Sequence, residues 1–213
     1  MQRFRIQYNK DAPLQYIGNL DLHKVWERYL RRARVPVAYT QGFHPQPKIQ
    51  QAAPLPLGFL SQNDLIDVWV EADENEFKEN DFFIHLQTTH QPGIEILSVK
   101  AVALNSPSLP TLILSSLYRV IPLDPLNLPE VQNRLKELLE RNTIIRTRRN
   151  KTYDLRPLIE NILLRSLPDN CLEFQMQLSA REGATGRPEE ILIELRLDPH
   201  AARYVRTGYI MKE

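Results

Sequence analysis

Hydrophobic and polar residues alternate at the start of the chain and then change to helical spacing. Residues 3–9, RFRIQYN, place apolar and polar side chains on opposite sides, which predicts a half-buried β-strand. Between Asn19, a candidate cap, and Pro36, apolar residues recur at helical intervals, which predicts a helix with a basic outer face. Further periodic segments predict strands at 37–41, 64–72 and 93–104 and a helix at 76–90. The predicted order is β-α-β-β-α-β.

The second part of the chain repeats this order after a linker. Residues 103–110, ALNSPSLP, contain two prolines and two serines, which predicts a connecting segment. Pro129 and Glu130 open a predicted helix, because proline fits the first turn and glutamate complements the helix dipole. The other predicted elements are strands at 111–123, 171–180 and 202–211, an extended segment at 143–157 with a turn at Asn150, and helices at 158–167 and 187–195.

Two successive β-α-β-β-α-β runs predict an α+β protein made of two ferredoxin-like halves packed together as a duplicated fold. The N-terminal half is expected at 1–105 and carries the Pro-rich GFHPQPK loop. The C-terminal half is expected at 111–213 and carries a basic segment at 144–156. The prediction rests on the order of elements, since the two halves show no obvious sequence repeat.

Composition excludes several classes of protein. The 213 residues are 42% apolar and 25% charged, as in globular domains, and no apolar run reaches the roughly 18 residues of a membrane helix. No signal peptide is visible, so we expect a cytoplasmic protein. A single cysteine excludes an internal disulfide and any cysteine-built zinc or iron–sulfur site. Scattered histidines and the lack of phosphate-binding glycine motifs predict no metal and no cofactor.

The net charge of +1 hides a strong asymmetry along the chain. Residues 1–50 carry nine Lys or Arg and three Asp or Glu, whereas residues 51–110 carry two and nine. Residues 141–156 then hold six basic residues and one acid, Asp154. This segregation indicates a basic face for an anionic partner, although opposite blocks can also neutralise each other in the fold.

Single-stranded RNA is the anion that the residue types fit best, because basic side chains follow phosphates and aromatic rings stack on bases. The stacking candidates are Phe43 and Tyr39. The alternative is that Tyr39 packs within the sheet and that Arg148 and Arg149 pair with the acidic block at 64–81. The candidate phosphate contacts are Arg146, Arg148, Arg149, Lys151, Arg156, Arg28, Arg31 and Lys48.

The Pro-rich loop at 41–58 is expected to be stiff, because prolines fix an extended backbone. We predict that it forms the rim of a binding cleft. For His44 we favour a loop-supporting role with hydrogen bonds to nearby backbone; catalysis by His44 as a general acid or base is the alternative. The loop residues that define this rim are Gly42, His44, Pro45, Pro47 and Gly58. We expect Gly42, Phe43, His44 and Lys48 at its exposed edge.

Residues 13–58, PLQYIGNLDLHKVWERYLRRARVPVAYTQGFHPQPKIQQAAPLPLG, resemble the opening of the radical-SAM-associated (radical SAM-linked) proteins, a family of unknown function. KTYDLRPLI (151–159) and RTGYI (206–210) resemble later blocks of the same family, so the resemblance spans the chain. Two positions depart from the family pattern. Gly18-Asn19 replaces Ser-His, and Gln46 replaces the second histidine of the loop, which argues against a catalytic histidine pair.

The resemblance implies a partner. Members of the family are encoded beside, or fused to, cobalamin-binding radical SAM proteins, often near genes for ribosomal proteins and a ribonuclease. We therefore predict a non-catalytic accessory or substrate-binding module for a radical SAM protein, one that contacts RNA. Two alternatives remain open at this point. One is an RNA-processing or RNA-modifying enzyme using His44, and the other is a protein-interaction scaffold without nucleic acid.

Overall fold

A computed structural model describes residues 1–73, 77–148, 150–168 and 171–212. These residues form two compact units, Met1–Leu112 (unit 1) and Ile113–Lys212 (unit 2). Both units combine helices with antiparallel strands, which confirms the predicted α+β class. None of the helices in the described ranges is long and apolar enough to cross a membrane.

Unit 1 contains the elements of one β-α-β-β-α-β run followed by a short helix. Its elements are β1 (Gln2–Lys10), α1 (Asn19–Arg32), β2 (Ile49–Gln51), β3 (Leu60–Val70), α2 (Glu79–Thr89), β4 (Ile94–Val102) and α3 (Leu109–Leu112). β1 lies between β3 and β4, with Ile6 opposite Ile66 on one side and Val99 on the other. β2 pairs with β3, so the antiparallel order is β4-β1-β3-β2.

The core of unit 1 explains which face of α1 stays in solvent. The side chains of Tyr8 and Trp26 are buried with ring centroids 4.8 Å apart, and the Tyr29 hydroxyl donates a hydrogen bond to the Leu86 carbonyl at 2.7 Å. Burying each large apolar side chain contributes roughly 1.5–3 kcal/mol. Because this burial fixes the rotation of α1, Arg28 on its opposite face is exposed.

Unit 2 has the same strand arrangement with a hairpin added. Its elements are β5 (Ile113–Pro122), α4 (Leu128–Glu140), β6 (Ile145–Arg148), β7 (Lys151–Asp154), β8 (Ile159–Ser166), β9 (Leu172–Arg181), β10 (Ala184–Thr185), α5 (Pro188–Glu194) and β11 (Ala202–Met211). β5 pairs with β9 and β11, and β9 pairs with β8, all antiparallel. The order β11-β5-β9-β8 therefore matches the order β4-β1-β3-β2 of unit 1. Within the described residues, β6 and β7 pair with each other and with no further strand.

Two elements differ from the predictions. Residues 37–41 are not a strand, because Val37 and Tyr39 form only single bridges and the second strand of unit 1 is β2, inside the predicted loop. The predicted helix at 158–167 is wrong: the segment is β8, paired along its length with β9. A short apolar run has the same pattern in either state, and here the tertiary partner decides.

Helix starts also differ in detail. Asn19 is the first residue of α1, and Gly18 is the cap residue, so the predicted side-chain cap is absent. Asn127 does cap α4, because its side-chain oxygen accepts a hydrogen bond from the Glu130 N–H. α2 begins at Glu79, and Glu76, where we predicted its start, lies outside the described residues.

Candidate nucleic-acid interface

Residues 39–47 form a short arm of unit 1. The Thr40 N–H donates to the Gln46 carbonyl at 2.9 Å, and the Gln46 N–H donates to the Thr40 Oγ1 at 3.0 Å. At the base of the arm, next to these bonds, the Lys48 N–H donates to the Ala38 carbonyl at 2.7 Å. Pro45 and Pro47 restrict the returning side of the arm. These bonds hold the two sides together, so the arm is a defined structure.

The tip of the arm carries a fully exposed aromatic ring. Gly42 has a φ of 136°, in the region that favours glycine, and the Phe43 side chain beside it is 103% exposed. At the far end of the Pro-rich stretch, Gly58 has a φ of 85° and donates its N–H to the Gln15 carbonyl at 3.0 Å. Among the described residues of unit 1, the ring of Phe43 is fully exposed, so it is available to a partner.

His44 is exposed at the tip of the arm. The backbone hydrogen bonds expected for it are absent, because no described residue bonds to its side chain. A catalytic histidine needs a neighbour that orients its ring, and no described acid lies within hydrogen-bonding distance. Among the described residues, the His44 side chain therefore has no hydrogen-bond partner.

The end of α1 and the base of the arm enclose a groove of about 260 Å³, which we call the α1 groove. Arg31, Arg34 and Tyr39 supply its cations and its aromatic face, and Tyr39 is 54% exposed. The remaining lining residues are Glu27, Leu30, Val35, Pro36, Val37 and Pro47. Three predicted residues, Arg31, Tyr39 and Pro47, thus meet at one site, whereas Arg34 and Glu27 were not predicted.

Helix-end hydrogen bonds fix the backbone between Arg31 and Arg34. The Arg34 N–H donates to the Arg31 carbonyl and the Val35 N–H to the Leu30 carbonyl, both at 3.1 Å. This is a Schellman motif, which places residue 34 in the left-handed region, and its φ is 53°. Arginine holds a position there that usually favours glycine.

The described residues provide no ion pair to the cations of the α1 groove. Glu27 pairs with His23 at 3.4 Å, although Arg31 lies one helical turn further along the same face. Arg28, Arg31 and Arg34 are exposed, and no hydrogen bond or ion pair joins their side chains to described residues. The nearby Arg32 differs, because it donates to the Gln91 side chain. Three guanidinium groups therefore remain open to an anion.

Lys48 lies within unit 1 in a different setting. Its Nζ is 4.9 Å from the ring centroid of Trp69, and the guanidinium carbon of Arg3 is also 4.9 Å from that centroid. Arg3 is buried and bonds to the buried carboxylate of Asp67, which Arg5 also contacts at 2.8 Å. Arg3 and Arg5 of the basic block at 1–50 thus pair with Asp67 of the acidic block at 51–110. Lys48, by contrast, contacts the aromatic ring of Trp69.

β6 (Ile145–Arg148) and β7 (Lys151–Asp154) pair to form the basic hairpin, with the turn predicted at Asn150, whose φ is 63°. The Arg146 guanidinium contacts the Glu194 carboxylate at 2.9 Å, and Arg141 contacts the other oxygen of the same group at 3.0 Å. Glu194 and both arginines belong to unit 2. The pairing with residues 64–81 was an alternative for Arg148 and Arg149, whereas Arg146 finds its acidic partner on α5.

A tyrosine binds the hairpin to the same helix. The Tyr153 hydroxyl donates a hydrogen bond to the Glu190 carboxylate. Burial, followed by this hydrogen bond and the charge of Glu190, raises the pKa of Tyr153 to about 12. Burial also raises the pKa of the Glu189 carboxyl, while the charges of Arg187 and Arg148 act in the opposite direction. Helix α5 therefore presents a row of acids to the hairpin.

The other predicted basic residues of unit 2 lie in three settings. Arg156 donates to the carbonyls of Leu139 and Arg141, each at 3.1 Å, and of Ile159 at 3.3 Å. Its guanidinium therefore satisfies the end of α4, a structural role. Lys151 is exposed and Arg148 half-buried at the end of the hairpin. Arg149 lies outside the described residues.

A second hollow, of about 360 Å³, lies on the sheet of unit 2. Its charged side chains, Arg119 and Glu173, are 3.8 Å apart and balance each other, and Asn161, Gln175 and Gln177 add neutral amides. It lacks the excess positive charge of the α1 groove. Within the described ranges, no three His, Cys, Asp or Glu side chains are placed to hold a metal ion.

Two solved structures share the architecture of the chain. One, described as "Structure of H/ACA RNP bound to a substrate RNA containing 2'-deoxyuridine", is 11% identical with a TM-score of 0.50, over 97% of this chain and 47% of that chain. The other, "Crystal Structure of a Cbf5-Nop10-Gar1 Complex", is 10% identical with a TM-score of 0.51, over 96% and 48%. The chain spans about half the length of these structures, and the likeness is one of fold.

Sequence similarity identifies the family. No curated protein is significantly similar in sequence to the chain. Residues 3–188, however, match the sequence model of the family described as "Uncharacterized protein conserved in bacteria (DUF2344)". Because the match covers most of the 213 residues, the chain belongs to this bacterial family, DUF2344.

Proposed function

We propose that the protein is a non-catalytic accessory module that binds single-stranded RNA for a radical SAM partner. The observation that carries the proposal is the combination, in unit 1, of unpaired guanidinium groups with accessible aromatic rings. Arg28, Arg31 and Arg34 offer charge to phosphates, while Tyr39 and Phe43 offer stacking faces. Single-strand binding needs both features, because phosphates supply affinity and unstacked bases need a flat partner.

The choice of RNA and of the partner has separate support. One structure that shares the fold is a ribonucleoprotein bound to a substrate RNA, which makes RNA the first anion to test. The radical SAM partner rests on the resemblance of residues 13–58 to the radical-SAM-associated family. We expect the partner to contribute the chemistry, because His44 has no orienting contact among the described residues.

The fold proposal is a duplication. The strand orders β4-β1-β3-β2 and β11-β5-β9-β8 are equivalent. In each unit, one helix follows the first of these four strands in the chain and another follows the third. This is the arrangement of a ferredoxin-like β-α-β-β-α-β unit. We infer that each unit is a ferredoxin-like domain and that the basic hairpin is an insertion in the second copy.

The RNA surface that we propose is centred on the α1 groove and the arm. In unit 2, we assign Arg148 and Lys151 of the hairpin as separate, weaker RNA contacts. Arg146 is paired with Glu194, and Arg156 is bound to three carbonyls, so we assign both to the structure of unit 2. Lys48, which lies over the ring of Trp69, adds one positive charge to the proposed RNA surface of unit 1.

Fluorescence anisotropy with short single-stranded RNAs tests the proposal. Three phosphate contacts predict an affinity that falls about twentyfold between about 50 and about 200 mM salt. Phe43→Ala is expected to lower RNA affinity about tenfold, the effect of one lost stacking partner, without changing stability because Phe43 is fully exposed. No binding, or binding that salt does not weaken, would overturn the proposal.

The remaining roles are separated by two further measurements. Co-purification with a cobalamin-binding radical SAM protein, the partner that the family resemblance implies, tests the accessory role, and failure to associate would remove that part of the proposal. Incubation of RNA with the wild type and with His44→Ala tests catalysis. Identical products from both proteins are expected, and products that depend on His44 would make the protein an enzyme.

A further inference from the structure

We infer that the α1 groove is a binding site for one unpaired nucleotide, with its phosphate on Arg31 and Arg34 and its base on the ring of Tyr39. The inference deepens the proposed function and rests on it, since the nucleotide would belong to the bound RNA. It adds a site, a ligand of defined size and a residue, Arg34, that sequence patterns did not single out.

The size of the groove limits its occupant to one nucleotide. Its volume of about 260 Å³ lies just below the roughly 300–1,000 Å³ of pockets for drug-sized ligands. Glu27 also lies in the lining, where its carboxylate would repel a second phosphate. A run of stacked nucleotides therefore does not fit, whereas a single nucleotide splayed out of the strand does.

The phosphate end of the site is preorganised by the helix terminus. Arg31 and Arg34 are three residues apart, and the hydrogen bonds of the Schellman motif fix the backbone between them. A guanidinium group presents two parallel N–H donors, which match the oxygens of a phosphate. Two such groups at one rim give a phosphate more donors than either exposed arginine alone.

The base end combines a flat ring, an apolar wall and one acceptor. Tyr39 is half exposed and its backbone is bridged to Pro47, which holds the ring at the mouth of the groove. Val35 and Val37 supply apolar surface beside it. The Glu27 carboxylate accepts hydrogen bonds only, so it favours a base with an exocyclic amino group, such as cytosine, over uracil.

The chain offers a matched control for the key residue. Arg196 ends α5 in the same motif as Arg34: its N–H donates to the Ile193 carbonyl at 2.9 Å, and its φ is 57°. Arg34→Gly and Arg196→Gly thus remove the same side chain from the same backbone conformation. Both are expected to fold with an unchanged or raised melting temperature, because glycine favours this conformation.

Isothermal titration with cytidine 5′-monophosphate, uridine 5′-monophosphate and inorganic phosphate tests the site. Arg34→Gly should lower the affinity for cytidine monophosphate about tenfold, as expected for one charge-assisted phosphate contact, while Arg196→Gly leaves it unchanged. Tyr39→Leu should lower nucleotide affinity about fivefold through lost stacking, and leave phosphate affinity unchanged. Cytidine monophosphate should bind about threefold more tightly than the uridine compound.

The outcomes separate this inference from the proposed function. RNA binding that Arg34→Gly does not weaken, with no mononucleotide binding, would overturn the nucleotide site and leave the proposed function standing. Mononucleotide binding with the expected variant pattern but no RNA binding would support the site and overturn the proposed function. Equal losses in Arg34→Gly and Arg196→Gly would overturn the site, because they would show an effect of overall charge.

Discussion

The α1 groove and the basic hairpin are the two regions where arginines cluster in the sequence, and the fold treats them differently. Around the groove, Arg28, Arg31 and Arg34 are exposed, and the nearby Glu27 pairs with a histidine. In the hairpin, Arg146 is bound to Glu194, and Tyr153 to Glu190. The density of basic residues is alike in the two regions, but the charge available to a partner is not.

The cause of the difference is the element opposite each cluster. Glu190 and Glu194 lie four residues apart on α5 and so share one face of that helix. In the hairpin, Arg146 is opposite Tyr153 in the strand register, and both reach this acidic face. The exposed face of α1 has no equivalent row of acids among the described residues. A basic segment binds an anionic partner only where the fold leaves its charges unpaired.

The largest expected effect comes from reversing the charges of each region in turn. Arg28→Glu with Arg31→Glu should lower RNA affinity about thirtyfold or more and reduce the salt dependence by roughly one to two phosphate contacts. The matched pair Arg148→Glu with Lys151→Glu changes the net charge equally and should cost less than about threefold. Fluorescence anisotropy measures both, and equal losses would show that the hairpin binds RNA as strongly as the groove.

Arg156 provides a test of stability instead of binding. Arg156→Ala removes hydrogen bonds to three carbonyls at and beyond the end of α4 and should lower the free energy of unfolding by about 1–2 kcal/mol. RNA affinity should stay unchanged. The control Lys151→Ala, at an exposed position, should change stability by less than about 0.5 kcal/mol. Urea denaturation measures the first effect. A loss of RNA affinity with unchanged stability would show that Arg156 contacts RNA and has no structural role.

The smallest expected effect is a pH dependence at Tyr153. The pKa of Tyr153 is raised to about 12 in the folded state, whereas it is about 10 in the unfolded chain. The folded protein therefore binds the hydroxyl proton more tightly than the unfolded chain does. The stabilisation is therefore complete below about pH 10 and is lost as the pH rises towards about 12. Tyr153→Phe should remove it.

Urea denaturation between about pH 8 and about pH 11 measures the free energy of unfolding of the wild type and of Tyr153→Phe. The stability of the wild type should fall more steeply than that of Tyr153→Phe above about pH 10. Tyr29, whose pKa burial also raises to about 12, is present in both proteins and cancels in the comparison. Parallel pH profiles would show that the hydroxyl of Tyr153 does not hold the hairpin to Glu190.

Sequence patterns predict most helices and strands correctly, because a long segment repeats its hydrophobic period several times. The alternation in β1 and the helical spacing in α1 are repeated often enough to fix both. The short β2 was missed, since three residues between prolines carry too little pattern. For β8 the sequence pattern predicts a helix, because its run of isoleucine and leucine becomes a strand only through pairing with β9.

The candidate site was predicted in part for the same reason. Basic and aromatic residue types near Arg31 and Tyr39 are visible in the sequence, and the stiff arm follows from its prolines. The contribution of Arg34 was not visible, because it depends on the way α1 ends and on the groove that this end forms with the arm. A spacing of three residues between arginines at a helix terminus is the signal that would have found it.

By itself, the sequence determined the α+β class, the order of most elements and the places where positive charge is concentrated. These follow from local periodicity and composition, which do not depend on distant residues. Only the tertiary structure decided which charges are free. Arg146 pairs with Glu194 across 48 positions of the chain, while Arg31 forms no ion pair with any acid in the described part of the chain. The interaction of two charges depends on their separation in space, and the sequence does not specify that separation until the chain has folded.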